Sequence, residues 1–114
     1  MDKVINKLAG LGVPGLVLAV AIAMTGLSGA AAIVVALSSL GGPFGMLGGI
    51  GVLILLALTS SAIAKYGIEK IAIGIVKKLI QEGKSKKDII REVEEFPVIS
   101  KELKLKIKDF VERA

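Results

Sequence analysis

Seven hydroxyl side chains, Thr25, Ser28, Ser38, Ser39, Thr59, Ser60 and Ser61, are the only side-chain hydrogen-bonding groups between Leu8 and Ala64, and no residue in that stretch is charged. If copies of the chain formed a ring, Thr25, Ser28, Ser38, Ser39, Thr59 and Ser60 would be candidates to line an aqueous path. Each hydroxyl can equally donate to a backbone carbonyl one turn earlier or bond across helices. Those toward the ends of apolar segments can reach headgroups. The second group able to do chemistry is basic. Lys65, Lys70, Lys77 and Lys78 follow the uncharged stretch and are placed to meet lipid headgroups. The wider run Lys77, Lys78, Lys84, Lys86, Lys87 and Arg91 would attract anionic lipid at roughly 1 kcal/mol per residue.

Other chemistries lack their residues. Histidine and cysteine are both absent, which removes the commonest general base and rules out disulfides and thiolate metal sites. There is no phosphate-binding glycine motif, paired buried carboxylate or nucleophile–base pair. The expectation is a protein that is not an enzyme and needs no metal or cofactor. Nucleic acid is disfavoured as a partner. Gly83 to Ile90 resembles the entry to a helix-turn-helix, but Glu92, Glu94 and Glu95 follow directly and no aromatic side chain is placed to stack on a base.

An uncharged run of this length, with 54% hydrophobic residues overall and a mean hydropathy of +0.77, exceeds what a soluble domain of this size buries. It points to a bilayer. A cleaved leader is the competing reading, with Lys3 and Lys7 as its basic start and Gly12 to Met24 as its apolar core. The apolar run continues far beyond any cleavage point, which disfavours it.

The elements that must position these groups are helices. Residues 1–9 read as a short amphipathic helix, with Val4, Ile5 and Leu8 on one face. Residues 10–66 form the uncharged Gly/Ala-rich region. Within it, Pro14 to Met24 and Ala30 to Leu40 are apolar blocks separated by Thr25 to Gly29. Each block makes roughly 16 Å of helix against ~30 Å of hydrocarbon. They therefore join into one kinked crossing or form a re-entrant hairpin. Gly41, Gly42 and Pro43 form a turn. Pro43 then opens a helix expected to run unbroken to Glu82, its first half long enough to cross. Residues 67–83 are its amphipathic extension, with Ile68, Ile71, Ala72, Ile75, Val76 and Leu79 as the stripe.

Residues 84–114 are a charged helical tail. Gly83 ends the preceding helix, Ser85 with Asp88 makes a capping box, Phe96-Pro97 stops that helix, and Ser100 caps the last one. The tail's core is too small to fold alone, so its inner face is expected to pack on the Ile68–Leu79 stripe of the same or an adjacent copy.

Small residues at four-residue spacing mark helix contacts in lipid. Gly45 with Gly49, the adjoining Gly48, and Ala19 with Ala23 are the candidates, either for self-association or for packing within one chain. Basic residues flank both ends of the uncharged region, which favours two crossings with both termini cytoplasmic. A re-entrant loop with one crossing is the alternative.

Gly10-Leu11-Gly12-Val13-Pro14-Gly15 together with Gly41-Gly42-Pro43-Phe44-Gly45-Met46-Leu47-Gly48-Gly49 resembles small Gly/Ala-rich bacterial membrane proteins. The architecture resembles phage holins, which are short, cross the membrane one to three times and end in a charged tail. The composition is similar to that of the interferon-inducible mitochondrial membrane proteins. The holin resemblance implies a lytic, self-assembling role in a bacterial inner membrane. No residue role is carried over from any of these.

The sequence thus reads as an all-α integral membrane helical hairpin with two crossings, the first broken or kinked, an amphipathic helix and a cytoplasmic helical-hairpin tail. The expected function is a homo-oligomer in membrane lipid that perforates or remodels the bilayer, as a toxin, lysis factor or defence effector. The alternative is an anchor whose basic tail recruits a soluble protein partner. A soluble assembly that hides the uncharged regions inside a closed shell is a third reading.

Overall fold

A computed structural model describes residues 1–38 and 50–114. The described residues form six α-helices and no strand: α1 (Asp2–Gly10), α2 (Val13–Ser38), α3 (Ile50–Tyr66), α4 (Ile68–Gln81), α5 (Lys86–Glu94) and α6 (Lys101–Arg113).

α2 is uncharged throughout and is long and apolar enough to cross a membrane. It breaks where the sequence interrupts its apolar run. Gly26 sits at φ 77°, ψ −179°, a conformation open essentially to glycine alone, so the two expected blocks are helical segments that meet at a kink. The halves have different surroundings. Val13 and Gly15 to Ile22 are buried on every side, whereas Ala23 to Ser28 are exposed. α1, α4, α5 and α6 all pack on α2, and together they form a helical head around its first half.

Each head helix places its apolar stripe inward. α1 buries Ile5, Leu8 and Ala9; α4 buries Ile71, Ala72, Ile75, Val76 and Leu79. α5 buries Ile89 and Val93; α6 buries Leu103, Ile107, Phe110 and Val111. At roughly 1.5–3 kcal/mol per large side chain, this shared core accounts for the order of a tail too small to fold by itself. The tail rests on α4, as expected, and also on α2.

The tail's ends are set locally. Ser85 Oγ accepts from the Asp88 N–H at 3.1 Å, and the Asp88 carboxylate accepts from the Ser85 N–H at 3.2 Å. Ser100 Oγ accepts from the Leu103 N–H at 3.1 Å. Reciprocal caps of this kind satisfy N–H groups that have no partner inside the helix.

One expectation is corrected. The helix expected to run unbroken to Glu82 stops at Tyr66. Gly67, at φ 88° and ψ 147°, starts α4 in a new direction, bent 116° from α3. The bend lets the stripe of α4 fold back onto α2 and α1; a straight continuation would carry that stripe away from both.

Candidate membrane-contact surface

The second half of α2 and α3 form an apolar pair. Ala30, Val34 and Leu37 recur at helical spacing on the buried side of α2, as do Leu56, Thr59 and Ala62 on α3. The outer sides carry six of the ten large apolar residues left exposed among the described residues, Met24, Leu27 and Val35 on α2 and Leu53, Ile54 and Leu58 on α3; Met1, Ile80, Val98 and Leu105 are the others. Val35 is 71% exposed and Leu53 60%, values that no core position shows. A shallow groove lined by Leu27, Ser28, Ala31, Leu53 and Leu56 runs between the two helices. Exposed apolar residues scattered singly are ordinary, but a contiguous uncharged surface marks contact with lipid or with another protein.

Three of the six described hydroxyls of the uncharged stretch are committed to the backbone. Thr25 Oγ1 donates to the Ala21 carbonyl at 2.6 Å, Ser38 Oγ to Val34 at 2.8 Å, and Thr59 Oγ1 to Leu55 at 2.7 Å. Thr59 is fully buried. Ser28 is exposed beside the groove, Ser61 is exposed, and Ser60 is half-buried. Ala19 is enclosed in the head, while Ala23 opens the exposed part of α2. Ser39, Gly41, Gly42, Pro43, Gly45, Gly48 and Gly49 lie outside the described residues.

At the other border, Lys65 and Tyr66 end α3. The Lys65 ammonium stands 5.3 Å from the centre of the Tyr66 ring, close enough for a cation–π contact. Lys70 and Lys77 are exposed on α4 and Lys78 is half-exposed. The acidic side chains of the tail are mostly matched within it: Lys84 bonds Glu92 at 2.7 Å, Arg91 bonds Asp88 at 3.3 Å, and Lys108 pairs with Glu94. Arg113 bridges Asp109 and also Glu69 of α4, at 3.2 and 2.8 Å. No ion pair among the described residues involves Lys70, Lys77 or Lys78.

Two carboxylates are shifted by these contacts. The Ser85 hydroxyl, then the Ser85 N–H, holds the Asp88 carboxyl below the usual carboxylate range. The hydrogen bond from Lys108, with its charge, does the same for Glu94. Both serve the tail's local structure. Among the described residues no group of histidine, cysteine or carboxylate side chains is placed to hold a metal ion.

Reading the sequence alone misses two features. Gly15 falls inside the helical block expected from Pro14, but nothing in the sequence shows that α1 crosses it with no room for a side chain. The enclosure of α2's first half leaves no trace either, because a helix apolar on all sides reads the same in protein and in lipid. No protein-family profile matches the chain, and no curated protein or solved structure matches it.

Proposed function

We propose that this chain is a small self-assembling membrane protein. Its apolar pair inserts into a bilayer, and its helical head lies at the surface on the side of both termini. One observation carries the reading: Met24, Leu27, Val35, Leu53, Ile54 and Leu58 gather on a pair with no charged residue before Lys65, while the exposed Met1, Ile80, Val98 and Leu105 of the head lie singly among charged side chains. Such a surface gains roughly 25 cal/mol for each Å² removed from water. In lipid, copies would then associate through close packing of small residues.

Of the two modes of action considered, remodelling of the bilayer fits better than a water-filled pore. Thr25, Ser38 and Thr59 already donate to carbonyls of their own helices, which leaves Ser28, Ser60 and Ser61, among the described hydroxyls, to supply protons to a hydrated lining. Anchoring is the second reading. It is favoured by the use of the tail's apolar face inside the monomer, which leaves an outer surface of mixed charge, partly paired, for a soluble partner.

Purified protein added to vesicles loaded with a small dye and a large dextran separates the two modes. Remodelling predicts changes in vesicle size, with crosslinked oligomers in the membrane. A fixed pore predicts release of the dye while dextran is retained. Vesicles left intact by monomeric protein would favour the anchor.

A further inference from the structure

α1 lies across α4 over Gly74, where a Cβ would press on the Ile5 side chain. Two adjoining hollows flank this crossing and share Met1, Lys70, Gly74 and Lys77. One reaches Tyr66 and Gly67 at the foot of the apolar pair, and the other extends to Lys78 and Gln81. Sharing those residues, they make one groove along the crossing, more apolar toward Tyr66 and Ile73 and polar toward Asp2, Asn6, Lys78 and Gln81. The helix repeat sets the geometry: Lys70, Gly74 and Lys77 are spaced by four and three residues and share a face. Both lysines border both hollows, so their flexible chains can reach toward one anion beside the Ile5 side chain that covers Gly74.

The charges in the groove are unspent. Six other lysines are engaged: Lys84 and Lys108 by carboxylates, Lys86 and Lys104 by the Glu112 and Glu94 carbonyls, and Lys65 and Lys106 by aromatic rings. Lys3, Lys7, Lys87 and Lys101 have no such partner among the described residues, but none of them lines either hollow. Of the two carboxylates lining the groove, Glu69 is bonded to Arg113, and Asp2 is outnumbered by Lys70, Lys77 and Lys78. An ammonium is a compact charge with three donors, suited to a phosphate oxygen.

We infer that the groove between α1 and α4 binds a phosphate group, and that the source of the phosphate is the headgroup of an anionic lipid. This rests on the membrane reading above. The groove opens at Tyr66, where the apolar surface ends, so a phosphate held by Lys70 and Lys77 leaves its acyl chains to run along α3. An ammonium–phosphate contact there also fixes the depth of the head at the interface.

The test is native mass spectrometry of the full chain released from detergent micelles containing phosphatidylglycerol or phosphatidylcholine. The wild type should retain one phosphatidylglycerol in preference to phosphatidylcholine. The triple variant Lys70→Gln, Lys77→Gln, Lys78→Gln should lose that adduct by about tenfold or more, since each lysine contributes roughly 1 kcal/mol. Each single variant should lose part of it. Lys70 and Lys77 are exposed and Lys78 is half-exposed, and none is in an ion pair among the described residues, so the helical circular dichroism signal should not change. A control triple variant at Lys87, Lys101 and Lys106 should keep the adduct. Adducts that survive added inorganic phosphate confirm a lipid source. Displacement by millimolar phosphate keeps the phosphate site but makes free phosphate its ligand. Equal retention by the groove variant and the wild type, or equal loss in the control, overturns the assignment. Wild-type protein that leaves the membrane fraction without detergent defeats the membrane reading itself, whatever the groove binds.

Discussion

The backbone carbonyl of Leu8 occupies the space that a Cβ on Gly15 would need. α1 and α2 therefore meet backbone to backbone, and Leu8 and Val13 are buried beside the contact. Because backbone cannot rotate aside, Gly15→Ala must displace α1 from the head. A loss of about 1–3 kcal/mol in head stability is expected, the usual cost of overpacking. Gly10→Ala is the control. Nothing lies near its Cβ position, and alanine there should be neutral or slightly stabilising. Urea titration of the two variants in mild detergent measures the contrast.

The Gly67 bend makes a second prediction. A side chain at φ 88° is strained, by about 1–3 kcal/mol, so Gly67→Ala favours a straight junction between α3 and α4. Straightening lifts Ile71, Ile75 and Leu79 off α2. Spin labels at Leu53 and Lys77 should report a longer and broader distance distribution in this variant than in the wild type.

The tail's hold on the head is tested by Ile75→Asp combined with Leu79→Asp. Both side chains are buried in the stripe of α4, against which α6 packs. An uncompensated buried carboxylate is costly enough to break the contact. Protease should then cleave after the α5 and α6 lysines at least several-fold faster, while the apolar pair stays in the membrane. An unchanged digestion pattern would mean that the tail holds its structure without α4.

Acid should loosen the tail first. Asp88 and Glu94 are held below the ordinary carboxylate range by Ser85 and Lys108. A depressed folded-state pKa contributes stability that is complete above the unfolded value, about 4. That stability is lost as pH falls through the lower folded value. Helicity of the tail should be flat from neutral pH to about 5 and decline below about 4. Lys108→Gln removes the main partner of Glu94, so its acid dependence should be shallower. Ser85→Ala should do the same through Asp88.

Much of this organisation is legible in the residues. Ser85 with Asp88, Phe96-Pro97 and Ser100 mark the tail's ends because caps and stops depend on local side-chain chemistry. The break in α2 is visible as the interruption from Thr25 to Gly29. Two features are not legible. The apolar stripe of α4 keeps its period on from α3, so Gly67 looks like one more glycine in a helix, and only tertiary packing on α2 selects the bend. Val13 to Ile22 have no polar face to reveal their surroundings, so the burial of this half by four other helices appears only in the fold. Of the candidate site residues, Lys70, Lys77 and Lys78 line one groove while Lys65 stands on the Tyr66 ring, and the described hydroxyls are spread over different depths, Thr25, Ser38 and Thr59 turned to their own backbone.

The most direct measurement of the central claim is lipid contact at the exposed apolar positions. The chain has no cysteine, so single cysteines at Val35 and Leu53, and at Lys87 as a reference, can each carry a bimane fluorophore without background labelling. In vesicles containing lipid brominated in the acyl chains, bromine quenches only what it touches. Insertion of the apolar pair predicts strong quenching at Val35 and Leu53 and none at Lys87. Equal, weak quenching at all three positions would show that the uncharged surface is covered by protein and not by lipid, and would contradict the account.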